Sequence, residues 1–206
     1  MSECMGRSEV PPLPFEVAVY HHLSVVLLSL ISSLWPAPAP PVAERWHAWP
    51  VARVFPGAVP GSSPSGARVT YVLTGVAPEA PCVTAFQPAA VRPGCRTALR
   101  ATYADSTQTF VVTVGIAVLD APSPGRDGSG RPATVRPAAF PGGPAARFGD
   151  RQYFTGVVVG SGERYLVGTA AGYADGRAYQ PGDRVVARLR DAARQLATAL
   201  HEALVR

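Results

Sequence analysis

A run of nineteen residues without Asp, Glu, Lys or Arg, residues 17–35, divides this chain into a short head and a long remainder. As a helix it would be about 28 Å long, close to the hydrocarbon thickness of a bilayer, about 30 Å. The proline-rich residues 36–41 follow it and argue against a buried core helix. We therefore expect residues 17–35 to be a single transmembrane helix, or else the apolar part of a signal segment that is cleaved.

This run sets the expected organisation of the chain. Residues 1–16 form a short N-terminal tail, whose excess of acidic over basic residues gives no support to a cytoplasmic N-terminus. Residues 36–66 are expected to be a linker, because their prolines disfavour continuous helix or central strand. Residues 67–206 are expected to form one folded domain outside the cytoplasm, held at the cell membrane by the single span or secreted if the segment is cleaved.

Two of the three cysteines, Cys82 and Cys95, follow this run, whereas Cys4 precedes it. Their spacing matches neither a zinc knuckle nor a C-x-x-C redox motif, and no histidine lies between His47 and His201 to complete a metal shell. Pairing is the default in an oxidising compartment. We therefore expect a structural Cys82–Cys95 disulfide; reactive or metal-bound thiols are the alternative.

Segments rich in β-branched and aromatic residues predict an antiparallel sheet. Residues 67–78 alternate in polarity and suit a strand, although a short helix is not excluded. Residues 98–104 and 108–119 form a predicted hairpin, and residues 153–176 form a second one that turns at residues 160–162. The Pro- and Gly-rich residues 120–144 between them are expected to be an irregular, mobile loop.

The end of the chain predicts an amphipathic helix with Asp183 at its N-cap. Its apolar stripe consists of Val185, Leu189, Ala192, Ala193, Leu196, Leu200, Ala203 and Leu204. A helix on the membrane surface is the alternative, but a sheet needs a cover. The expected fold class is therefore α+β, a small antiparallel sheet of two hairpins plus an extra strand, covered by the C-terminal amphipathic helix.

Several motifs stand together behind the apolar span and the segment RVFPGAVP: GVAPEAPC, GCRTALRATYADSTQTFVVTVGIAVL, AARF, AAGYADGR and ARQLATALHEAL. With these the chain resembles a group of uncharacterised membrane-anchored extracytoplasmic proteins of high-GC actinobacteria. All 19 basic residues are arginine, which fits GC-rich codons. The arrangement is also similar, at the level of fold, to extracytoplasmic sensor domains of actinobacterial Ser/Thr kinases, although no kinase segment is present. The resemblance implies no activity or catalytic residue.

The sequence offers no recognisable catalytic constellation. His47 and His201 are the only histidines outside the apolar span, and no G-x-S-x-G elbow surrounds a serine. Carboxylates remain available for acid–base chemistry: Asp105, Asp120, Asp150, Glu163 and Asp175. The repeated Tyr-Ala-Asp, at residues 103–105 and 173–175, is expected to end two strands with an inward aromatic and a turn-forming Asp. We expect no enzyme, cofactor or metal.

The expected function is a membrane-tethered, non-catalytic domain that binds a ligand or an envelope protein, in sensing or assembly. The alternative is a carboxylate-dependent hydrolase of cell-wall polymers. Arg96, Arg100 and Tyr103 follow the cysteine pair and are a possible surface site, although strand alternation puts Tyr103 on the opposite face from the two arginines. The scattered arginines, without interleaved aromatics, argue against nucleic acid as a partner.

Overall fold

A computed structural model describes residues 49–88, 93–122, 135–149, 158–159, 164–178, 180 and 182–206. The predicted tail and apolar span, residues 1–35, and residues 36–48 of the predicted linker lie outside these ranges. Within them, no helix combines the length and the apolar character needed to cross a bilayer.

The described residues form one antiparallel sheet and three helices. The sheet order is β1-β2-β3-β4-β6-β5. The strands are β1 (Ala58–Ser62), β2 (Arg68–Ala80), β3 (Cys95–Asp105), β4 (Phe110–Leu119), β5 (Val158–Val159) and β6 (Tyr165–Tyr173). The helices are α1 (Val51–Val54), α2 (Cys82–Ala85) and the long α3 (Val186–Val205). The predicted α+β class, with an antiparallel sheet and a C-terminal helix, is confirmed.

Both predicted hairpins contribute to the sheet. Strands β3 and β4 pair along most of their length, with Ala101 opposite Val114. Strand β6 pairs with the free edge of β4 and also with β5, so the second hairpin is placed outward from the first. Its predicted turn, residues 160–162, lies outside the described ranges. Strand β2 is the predicted extra strand and pairs with the other edge of β3.

Helix α3 covers one face of the sheet, as its apolar stripe predicts. Six residues of the predicted stripe are buried: Leu189, Ala192, Ala193, Leu196, Leu200 and Leu204. Ala197 and His201, which the prediction left out, are buried with them. The predicted N-cap is wrong, because the helix begins after Val185 without a side-chain cap. Asp183 instead accepts a hydrogen bond from the Tyr173 hydroxyl at 2.9 Å.

The second face of the sheet is also covered, by α2 and by residues 135–149. All ten positions of β4 are buried, so its odd and even positions alike face a packed layer. Phe86, Val135, Ala145 and Phe148 belong to the buried cluster on this face. The predicted irregular backbone is confirmed for the described residues 120–122 and 135–144, but residues 135–144 are not a free loop, because Val135 and Ala138 are buried against the sheet.

Glycines in the strands make room for this second layer. A Cβ on Gly115 would collide with Val135, one on Gly75 with Phe140, and one on Gly172 with Phe148. In each of these three strands, a large side chain from residues 135–148 packs directly over a glycine. The glycines of the predicted strands, which lower β-propensity, are explained by this close approach.

Two buried threonines fix the same layer by hydrogen bonds. The Thr102 hydroxyl lies 2.7 Å from both the Thr113 hydroxyl and the Ala138 carbonyl oxygen. The Ala138 amide donates to the Thr113 hydroxyl at 3.0 Å. Because both backbone groups of Ala138 are satisfied by side chains, the irregular segment can cross a buried surface without the cost of unpaired polar groups.

The folded region begins earlier than Ala67, so the predicted extent of the linker is wrong at its C-terminal end. Strand β1 pairs with β2, and Val54, Phe55 and Val59 belong to the core under α3. Pro60 fits here because β1 is an edge strand, where a missing N–H costs no ladder bond. At this edge, the Gln195 side chain of α3 accepts from the Ser62 amide at 2.7 Å and donates to the Ser62 carbonyl at 2.8 Å.

The predicted disulfide is confirmed. Cys82 and Cys95 are bonded with their Cα atoms 6.2 Å apart. The bond ties the start of α2 to the start of β3, and therefore ties the second layer to the sheet. It lies at the end of β3 opposite to the turn into β4.

Candidate functional site: a cleft lined by arginines

A cleft of about 480 Å³ opens where the turn after β1, the turn after β3 and the start of α3 meet. We call it the arginine cleft, because Arg68, Arg184 and Arg188 line it together with the hydroxyl residues Ser63, Ser65, Ser106 and Thr107. Among the described residues, its lining includes no acidic and no aromatic side chain. The strand directions explain why these segments meet. Because the strands are antiparallel, β1 ends, β2 begins and β3 ends at the same end of the sheet.

Asp105 is the buried anchor beneath the cleft. Its side chain is 1% exposed and accepts a hydrogen bond from Arg188 of α3 at 3.1 Å. It also accepts from the Thr107 hydroxyl and from the amides of Thr109 and Phe110, at 2.6, 2.8 and 3.0 Å. With four donors satisfied, this carboxylate is occupied by the hairpin turn and by the helix, and it holds the two together.

Arg188 is held in one orientation by two different contacts. Besides its bond to Asp105, its guanidinium lies over the Phe110 ring, 4.6 Å from the centroid. The side chain keeps 35% of its surface exposed, so it remains accessible from the cleft. A fixed and accessible guanidinium is a preorganised donor, because binding a ligand costs it little conformational entropy.

Arg68 and Arg184 carry the remaining charge of the cleft. Both are exposed, and neither side chain makes a hydrogen bond or ion pair with any residue that the structure describes. The nearby Asp183 carboxylate is engaged by the Tyr173 hydroxyl and the Gln180 amide. The two guanidinium groups are therefore available to an external anion.

The start of α3 adds positive potential to the same place. Val185 and Ala187 line the cleft. The helix has no side-chain cap at its N-terminus and no acidic residue in its first turn. The positive end of its dipole is thus not compensated locally, which favours negative charge in the cleft.

Buried tyrosines lie around this end of the sheet. Burial raises the pKa of Tyr71, an effect that Arg188 opposes and that Asp105 and Asp191 reinforce. Burial, followed by the hydrogen bond to Asp183, raises the pKa of Tyr173. These hydroxyls stay protonated at neutral pH and act as packing groups with a polar tip, not as acids or bases.

A second surface cleft, of about 350 Å³, lies between Pro60 and α3. Its lining holds one cation and one anion, Arg194 and Glu202, and Arg194 pairs with Asp191 at 3.5 Å. Its charges balance, so it offers no comparable attraction for an ion.

The possible surface site predicted at Arg96, Arg100 and Tyr103 is not assembled. Arg96 is exposed beside the disulfide and pairs with Asp120 at 3.5 Å. Arg100 lies on the face of the second layer, where it donates to the Arg136 carbonyl at 3.1 Å. Tyr103 is fully buried under α3 and donates to the Pro56 carbonyl, so it does not belong to any surface.

The candidate carboxylates are not gathered in one place within the described chain. Asp105 is buried at the turn after β3, whereas Asp120 is exposed at the opposite end of the hairpin. Asp175 accepts from the Arg177 amide and pairs with its guanidinium at 3.7 Å, which is the behaviour of a turn residue. Asp150 and Glu163 lie outside the described residues. The structural interpretation of the repeated Tyr-Ala-Asp is confirmed, since Tyr103 and Tyr173 are both buried.

Sequence reasoning missed the arginine cleft, because Arg68 is more than a hundred positions away from Arg184 and Arg188 in the chain. Only the fold brings Arg68 beside Arg184 and Arg188. The sequence did carry one signal. Arg68 follows a turn-forming segment, and Arg184 and Arg188 lie where the predicted C-terminal helix starts. No group of three or more potential metal ligands occurs among the residues that the structure describes. Comparisons with models of protein families, with curated proteins and with solved structures found no match.

Proposed function

We propose that this protein is a non-catalytic, membrane-tethered extracytoplasmic domain that binds an anionic ligand or a negatively charged envelope component in the arginine cleft. The observation that carries the proposal is the cleft itself, in which two guanidinium groups without a partner among the described residues lie beside a third that is held by Asp105. Resemblance to membrane-anchored actinobacterial proteins, and the charge-free residues 17–35, support the location.

The role of the rest of the fold in this proposal is to hold the cleft rigid. The sheet is packed on both faces, and its edge strand β1 is bonded to α3 through Gln195. The three segments that form the cleft are therefore fixed to one another before a ligand arrives. Such preorganisation suits a binding module, since the cost of ordering loops has already been met in folding.

The alternative function, a carboxylate-dependent hydrolase of wall polymers, needs two carboxylates about 5–10 Å apart in one cleft. In the described chain, the arginine cleft has Asp105 beneath it, and that carboxylate is fully engaged. We therefore place binding ahead of hydrolysis.

Sedimentation with a cell-envelope preparation that retains its lipids tests the proposal. The detergent-solubilised full-length chain is compared with the double variant Arg68→Gln/Arg184→Gln and with the control Arg190→Gln/Arg194→Gln. The control also removes two positive charges, but from exposed positions of α3 that do not line the cleft. We expect the wild type and the control to sediment with the envelope, more weakly as salt rises, and the cleft variant to stay in solution.

Two results would count against the proposal. If all three proteins sediment equally, the cleft is not the binding site. If the wild type releases soluble fragments from the preparation, and Asp150→Asn or Glu163→Gln abolishes the release, the hydrolase alternative is correct.

A further inference from the structure

The charge in the arginine cleft exceeds what a single carboxylate ligand would neutralise. Of the three guanidinium groups, that of Arg188 pairs with Asp105, whereas Arg68 and Arg184 form no ion pair within the described chain. The Asp183 carboxylate next to Arg184 is bonded to the Tyr173 hydroxyl and the Gln180 amide, so two cations of the cleft remain in excess of ion-pair partners. The uncapped start of α3 adds to this excess. A phosphate monoester carries about −1.5 to −2 charges at neutral pH and so matches it, whereas a carboxylate carries only one.

The donors also come from different segments of the chain. Arg68 lies at the start of β2, Ser106 in the turn after β3, and Arg184 and Arg188 at the beginning of α3. Donors on three separate segments can contact different oxygens of one ligand. A tetrahedral anion presents three acceptor oxygens in three directions and can use all of them, whereas a carboxylate presents two in a plane.

The lining limits what else the ligand can carry into the cleft. The described part of the lining holds no aromatic side chain on which a nucleic-acid base could stack. Its remaining polar groups are hydroxyls, and that of Ser106 is free of any partner within the described chain. Hydroxyls serve phosphate oxygens or sugar hydroxyls equally well.

We propose that the arginine cleft is a binding site for a phosphate-type oxyanion, the phosphomonoester of a polymer end or metabolite or the phosphomonoester headgroup of a lipid. This proposal rests on the proposed function, since it names the chemical class of ligand for the same cleft. Arg68 and Arg184 supply the charge that the ligand neutralises. Arg188, fixed by Asp105 and Phe110, supplies a donor of set orientation.

Calorimetric titration of the full-length chain in detergent micelles tests this proposal. The soluble probes are inorganic phosphate and sulfate, which are tetrahedral, and malonate, which carries two planar carboxylates at the same total charge. We expect phosphate and sulfate to bind at least about tenfold more tightly than malonate. Arg68→Gln/Arg184→Gln should weaken phosphate binding by at least about tenfold, and the control Arg190→Gln/Arg194→Gln should leave it unchanged.

A second arm separates the two sources of phosphate. The chain is placed in phosphatidylcholine nanodiscs with or without phosphatidic acid, and phosphate is titrated again. If the lipid headgroup is the ligand, phosphatidic acid suppresses the binding of soluble phosphate in the wild type. If a polymer or metabolite is the ligand, the two kinds of disc give the same affinity. Either result supports a phosphate site and assigns its source.

Two outcomes overturn the inference, and neither decides the proposed function. Malonate binding as tightly as phosphate would show a site for anions in general. Phosphate binding that the cleft variant retains would show that the ion binds elsewhere or only adventitiously. In both cases, envelope sedimentation that depends on Arg68 and Arg184 would still support the proposed function. The proposed function would be rejected only if sedimentation did not depend on these two arginines.

Discussion

At the scale of single residues, the repeated Tyr-Ala-Asp has a different structural role at each of its two positions, residues 103–105 and 173–175. The first Tyr-Ala-Asp ends in Asp105, which is buried and receives four hydrogen-bond donors, including Arg188. The second ends in Asp175, which is exposed and bonds only to Arg177 two positions away. The difference comes from the neighbours in space, because α3 passes over the first turn and offers a guanidinium there. Sequence alone could predict the turn but not the anchor.

Replacement of Asp105 by Ala should lower the free energy of unfolding by about 3 kcal/mol, because the buried Phe110 amide, the part-buried Thr109 amide and the Arg188 guanidinium lose their acceptor. The matched control is Asp175→Ala, which removes an exposed carboxylate and should cost less than about 1 kcal/mol. Urea unfolding of both variants, followed by circular dichroism, measures the difference. Equal losses for the two variants would mean that Asp105 is a turn residue like Asp175.

Burial raises the pKa of Tyr103 well above its ordinary value of 10.0, because ionisation would place a charge in the core. The folded state therefore holds this proton more tightly than the unfolded chain does. Stability is fully present below about pH 10 and falls as the pH rises further, since the unfolded state ionises first. The raised pKa values of Tyr71 and Tyr173 act in the same direction.

Tyr103→Phe should make the alkaline loss of stability less steep, by up to about 1.4 kcal/mol per pH unit. At neutral pH the variant should be about 1 kcal/mol less stable, because the hydrogen bond to the Pro56 carbonyl is lost. Urea unfolding at pH values from about 8 to about 11 measures both effects. Identical slopes for wild type and variant would contradict the account of Tyr103.

At the scale of elements, both faces of the sheet are covered by a packed layer. Helix α3 occupies one face, and residues 135–149 occupy the other without regular structure of their own. The irregular layer is possible because the strands carry glycines beneath its large side chains, and because Thr102 and Thr113 satisfy the backbone of Ala138. The glycines in β4 and β6 are therefore part of the packing and not interruptions of the strands.

Gly115→Ala should cost about 2 kcal/mol of stability, because the new methyl group would collide with Val135 and press on Phe86. Gly143→Ala is the control, since its methyl group would meet no atom within 4 Å. In a Val135→Ala background, the same substitution at Gly115 should cost less than half as much, since the side chain it collides with has been shortened. Thermal unfolding of the four variants gives the coupling directly, and additive losses would show that Val135 is not the obstacle.

At the scale of the whole molecule, the pattern of apolar residues predicted the hairpins and α3, because β-branched and aromatic runs bounded by turns mark strands and a helical repeat marks α3. It could not give the second layer, since residues 135–149 have no period and are recognised only by the surface they cover. It placed the start of the domain too late, because Pro60 suits an edge strand as well as a linker. The arginine cleft was beyond its reach, because that site exists only where Arg68, Arg184 and Arg188 meet.

The central claim is a disulfide-bonded binding domain held outside the cytoplasm, and thiol labelling of intact cells tests it most directly. A membrane-impermeant maleimide is applied with and without prior reduction, and the mass of each cysteine-containing peptide is measured. The account predicts that Cys82 and Cys95 are labelled only after reduction, and that Cys4 is labelled only after the cells are opened. If Cys82 and Cys95 escape labelling until the cells are broken and are then free thiols, the domain is cytoplasmic and the account is wrong.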